Sequence, residues 1–78
     1  MQNADDLEKL IQQNGDTLLR TASAILGDAQ EAEDVVQETF IKYLEKQPVF
    51  EGHEHAKAWL LRVTINSCRS RLRSPWRR

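Results

Sequence analysis

Leu7, Leu10, Ile11, Leu18, Ala22 and Ile25 hold one apolar stripe at helical spacing, and helical periods continue along the rest of the chain. No stretch alternates apolar and polar residues as a half-buried strand does. A chain of 78 residues allows one domain at most, with little apolar surface to bury. Helical period and shortness together predict an all-α fold, a small bundle of three or four helical pieces. The punctuation sets the pieces. Asn14-Gly15 interrupts the first stripe and predicts a kink or break in the first helix. Gly27 suits the C′ position that ends it. Asp28 suits an N-cap, with Glu31 in capping-box register. The second helix is expected over 29–46, with Lys42 and Lys46 at its negative end. Pro48 stops it, and Gly52 marks a loop through "QPVFEGHE". A third helix is expected from about 55 to 73, ended by Pro75.

Several classes fall away. No apolar run approaches the roughly 18 residues that span a membrane. "MQNADDLEKL" has neither a positive n-region nor an apolar h-region, so no secretion signal is read. Cys68 is the only cysteine, which forbids an internal disulfide and makes a reducing cytoplasm the simplest home. A calcium loop starting at Asp28 fails, because its sixth position is Glu33 and its twelfth is Thr39. A di-iron bundle needs Glu-x-x-His pairs, and 29–46 holds no histidine. His53 and His55 in "HEH" make a weak ligand set and read as ordinary loop residues. No catalytic, metal or cofactor site is expected.

The formal charge of −1 conceals a sharp division. Residues 1–54 hold all 12 acids and four basic residues, a net −8; from His55 onward there are seven basic residues and no acid, +7. Such asymmetry fits two surfaces with two kinds of partner, one a polyanion, or ends that attract each other in the fold. On a 100° wheel, Ala58, Leu61, Ile65, Cys68 and Leu72 form a narrow apolar stripe on the third helix. Arg62, Asn66, Arg69 and Arg73 share another face, with Trp59 at its edge. The arginines could follow a phosphate backbone, Asn66 could meet a base edge, and Trp59 could stack on a base. The competing reading is a solvated basic face with Trp59 in the core. Arg71 and Lys57 point elsewhere.

On the second helix, Val36, Phe40 and Tyr43 form the core-facing stripe. Glu31, Asp34, Gln37, Glu38 and Glu45 lie opposite, with Ile41 in their midst. An outward helix face offers no pocket for acid–base chemistry. Two readings stay open: a solvated face with one stray apolar residue, or a protein interface with Ile41 as its anchor.

"DAQEAEDVVQETFIKYLEK", then "FEG", then "AWLLRVTINSCRSRLR" closely resembles region 2 of bacterial extracytoplasmic-function sigma factors, over about residues 5–74. The resemblance implies a transcription initiation factor domain, not an enzyme. It implies that the helix over 28–46 docks on the clamp helices of the largest RNA polymerase subunit. Asp34, Gln37 and Glu38 stand at matching contact positions, with Ile41 one turn further along. The loop over 47–55 is similar to the specificity loop that captures a base flipped from the promoter −10 element, and Phe50, Glu51, Gly52 and His53 occupy it here. The helix over 56–73 looks like the one that holds the −10 duplex edge and the melted strand. Arg62, Asn66, Arg69 and Arg73 then become its DNA face, beside Trp59. The implied partners are the polymerase core enzyme, the non-template strand of the −10 element and an anti-sigma factor. Two departures stand out. Ser70 replaces an aspartate that many members carry. The helix-turn-helix domain that reads the −35 element is absent from a chain that stops at "SPWRR", which fits an excised domain or a single-domain variant; one region 2 domain over 1–78 is expected. The alternative is a helical protein-interaction module without DNA binding.

Overall fold

The computed structural model describes the backbone of residues 4–74 and the side chains of residues 6–74. Three helices follow one another: α1 (Ala4–Leu26), α2 (Ala29–Lys46) and α3 (His53–Arg73). Each packs against the other two, and the described residues contain no strand. The all-α bundle expected from the periodicity is the fold, with three helices among the described residues.

The α1–α2 corner follows its residues closely. Gly27 ends α1 in the left-handed region at φ 67°, and its N–H donates to the Ser23 carbonyl at 2.8 Å. A Cβ there would be strained by this φ rather than by crowding. Asp28 caps α2 by accepting from the Glu31 N–H at 2.9 Å. At the far end Gln47 takes φ 49°, unusual for a residue with a Cβ, and donates to the Tyr43 carbonyl at 2.9 Å. Pro48 follows, where the helix cannot continue.

Three sequence expectations are corrected. Asn14-Gly15 does not break α1, which runs on through both residues. The Asn14 side chain is buried and donates back to the Leu10 carbonyl at 3.2 Å, so its polar group is satisfied inside the helix. The third helix begins at His53 rather than near His55, which leaves a shorter connection. Its buried stripe is Ala56, Leu60, Thr64, Ser67 and Cys68. Of the expected stripe only Cys68 is buried; Leu61 and Ile65 are half-buried, and Ala58 and Leu72 are exposed. Pro75, expected to end α3, lies outside the described residues.

The reason for the shifted stripe is a hydroxyl pair. Thr39 and Thr64 are both fully buried, with their hydroxyl oxygens 3.0 Å apart. Thr39 donates to the Val35 carbonyl at 3.0 Å, so Thr64 donates to Thr39. A buried hydroxyl costs little once bonded, and the pair lets two polar residues serve as core. Along both helices the pair falls between two apolar clusters. Leu10, Leu18, Phe40, Tyr43, Ala56 and Leu60 form one. Ala22, Leu26, Ala32, Val35 and Cys68 form the other. On α2, Val35 joins Phe40 and Tyr43 in the core, while Val36 is only half-buried.

Candidate nucleic-acid and protein interfaces

The buried stripe of α3 fixes what its other side presents. Arg62, Asn66, Arg69 and Arg73 are all exposed. They repeat at helical spacing over eleven residues, a track roughly 16 Å long at 1.5 Å per residue. Trp59, at the edge of the track, is half-buried and packs against the first core cluster. One side of the indole is therefore structural, and the rest faces outward.

Phe50 explains how the short connection is held. Its ring stacks near Tyr43 with centroids 6.1 Å apart, meets the His55 ring edge-on at 5.3 Å, and tilts against Trp59 at 5.9 Å. Such aromatic geometries add to plain area burial. The Glu51 N–H donates to His55 Nδ1 at 3.1 Å, tying the loop to the first turn of α3. Burial, and then the charge of Asp6, push the Tyr43 hydroxyl above its ordinary pKa, so it stays a neutral member of this group. Phe50 is thus a loop anchor packed on the core, whereas Glu51, Gly52 and His53 are exposed. His53 belongs to α3, not to the loop where the sequence reading placed it. Val49, which the sequence reading passed over, is 87% exposed and is the loop's outward apolar side chain.

On α2, Gln37, Glu38 and Ile41 are exposed, and Asp34 is half-buried. Ile41 is 52% exposed, and Leu44, three residues on, is 43% exposed. Sequence reasoning missed Leu44 because it borders the apolar stripe and reads as core. It also missed Arg71. From α3, its Nη2 donates to Glu38 Oε2 at 2.6 Å, and its Nη1 lies 3.9 Å from Glu31 Oε1. The hydrogen bond that it donates to Glu38, more than any other influence, holds the guanidinium above its ordinary pKa. The charge asymmetry is therefore used partly inside the fold, across α2 and α3. These groups are partly solvated, so the contact contributes no more than about 1 kcal/mol. Its larger effect is to fix the Glu38 carboxylate.

Cys68 is fully buried, and burial above all raises its thiol pKa, so it behaves as a small hydrophobe. Among the described residues no three His, Cys, Asp or Glu side chains could hold a metal ion together. No described helix is long and apolar enough to cross a membrane.

The family model described as sigma-70 region 2 matches residues 10–78. The chain belongs to the sigma-70 region 2 family. Region 2 is a non-catalytic domain of transcription-initiation sigma factors. Among curated proteins, the chain is 43% identical over 51 residues to the RNA polymerase sigma-H factor of Pseudomonas aeruginosa. That alignment covers 65% of this chain and 26% of the relative, so the chain spans about a quarter of the length of the curated relative it matches. No solved structure gives a significant match. In this region 2 domain, the acidic helix α2 and the basic helix α3 are neighbours in one bundle, each with most of its described charged residues exposed.

Proposed function

We propose that this domain is region 2 of an extracytoplasmic-function sigma factor, working in the cytoplasm. In this reading α2 docks on the clamp helices of RNA polymerase core through Asp34, Gln37, Glu38 and Ile41. The face of α3 made by Arg62, Asn66, Arg69 and Arg73, with Trp59, recognises and melts the −10 element by holding its non-template strand. The loop residues Glu51 and Gly52, with His53, receive a flipped base, and Phe50 holds that loop on the bundle. Reading of the −35 element falls to a helix-turn-helix domain outside these residues, and an anti-sigma factor would act by covering one of the two faces.

The observation that carries the reading is the pairing of opposite faces on adjacent helices. An exposed isoleucine sits among acids on α2, and an exposed arginine track with one amide and one indole runs along α3. Opening DNA costs a few kcal/mol per extruded base. Aromatic stacking on an unpaired base returns about 1–3 kcal/mol, and arginines add salt-sensitive affinity for phosphates. The exposed carboxylates of α2 repel phosphate, which favours the α3 side of the bundle for the strand.

Titration of a labelled −10-like single strand at two salt concentrations tests the α3 half. Arg62→Ala and Arg69→Ala are each expected to weaken all sequences alike and to flatten the salt slope. Asn66→Ala is expected to change base preference more than slope. No change in any of the three variants would overturn the assignment.

A further inference from the structure

Between α2 and α3 runs a groove of about 370 Å³ lined by Glu38, Lys42, Asn66, Ser67, Ser70 and Arg71. No apolar residue lines it. Five of the six side chains can donate a hydrogen bond. The sixth, Glu38, already accepts from Arg71 at 2.6 Å. Glu38 and Glu31 both engage Arg71, so Lys42 is the lining cation that stands apart from that ion pair. Donors converging beside such a cation suit a phosphate, whose oxygens only accept. Asn66 belongs both to this groove and to the exposed track of α3. The groove thus opens sideways from the track toward α2.

We propose that this groove holds a backbone phosphate of the nucleic-acid strand, with Lys42 and Ser70 as its binding residues. The assignment rests on α3 holding a strand, and it extends that track onto α2. Arg71, held by Glu38 and near Glu31, supports the groove wall and leaves Lys42 as the cation for the strand. The helix that carries the protein-facing acids then also carries one nucleic-acid contact.

Strand binding by the full chain, measured by anisotropy across salt concentration, tests this with variants at exposed positions. Lys42→Ala is expected to weaken binding about three-fold and to lower the single-strand salt slope by about 0.7. Lys46→Ala removes an exposed cation of the same helix that does not line the groove, and is expected to do neither. Ser70→Asp, which aims a carboxylate at the phosphate, is expected to weaken binding at least as much, while Ser70→Asn retains it. Circular dichroism of each variant checks that the helices persist. If Lys42→Ala and Lys46→Ala match, or Ser70→Asp binds like wild type, the groove is not a phosphate site, although the α3 track stands. If wild type binds no strand, both assignments fail. Inorganic phosphate provides the second arm, followed through the Ser67 and Ser70 amide resonances. Perturbation only at far higher concentration than the strand needs supports a backbone phosphate. Saturation at lower concentration than the strand needs would assign the groove to free phosphate and overturn the strand assignment.

Discussion

Leu60→Ala is expected to cost about 2–5 kcal/mol of stability, the range for emptying a buried leucine site. Leu60 is fully buried at the middle of α3, in the cluster with Leu10, Leu18, Phe40, Tyr43 and Ala56. It is the largest fully buried side chain of α3, and that cluster joins all three helices. Trp59 and Phe50 lean on the same cluster, so the loop and the edge of the arginine track depend on it. At about 0.05–0.15 kcal/mol per residue, a chain of 78 residues has about 4–12 kcal/mol in total. The substitution therefore removes a large part of the whole. Urea denaturation measures it: the midpoint falls while the slope with denaturant stays the same. A loss below about 1 kcal/mol would show that the cluster around Leu60 does not hold the three helices together.

Ile41→Asp is expected to weaken binding to a polymerase clamp-helix fragment by about ten-fold or more while leaving the unfolding midpoint nearly unchanged. Ile41 is 52% exposed, so the fold has little to lose, and substitutions at such positions usually change stability by no more than about 0.5 kcal/mol. An interface that buries the remaining apolar surface loses that contribution, and it must also desolvate a new carboxylate. Each 1.4 kcal/mol or so is a factor of ten in affinity. Leu44→Ala is the milder companion on the same face. Calorimetry with the clamp fragment measures both. Stability lost with affinity intact would make Ile41 a core residue and remove α2 from the interface.

Much of this fold is written in short-range chemistry, and that part is legible in the sequence. Gly27 and Asp28 mark the α1–α2 corner because each answers a local backbone need, a left-handed φ and an unsatisfied N–H. The bounds of α2 follow directly. The misreadings come from polar groups satisfied by partners that a helical wheel does not contain. Asn14 looks like a helix breaker until its side chain is seen to bond back to Leu10. Thr64 looks like surface until Thr39 arrives from another helix, and the core face of α3 lies about a third of a turn from its apolar stripe. Arg71 points away from the other arginines on the wheel, which is the direction that takes it to Glu38.

The candidate faces divide along the same line. Exposure of Ile41 and of the Arg62, Asn66, Arg69 and Arg73 track follows from periodicity alone. The anchoring of Phe50 by Tyr43, His55 and Trp59 does not, because it brings three separate stretches together. The α2–α3 groove is equally invisible in sequence, since Lys42 and Ser70 lie 28 positions apart.

In the proposed role α3 holds an opened strand in preference to a closed duplex. Fluorescence anisotropy of the chain with a labelled −10-like single strand, and with the same sequence as a duplex at the same salt, measures it most directly. The single strand is expected to bind at least about ten-fold more tightly, because stacking and base contacts are available only once the pairs are open. Equal affinity for both forms, or tighter binding of the duplex, would contradict it.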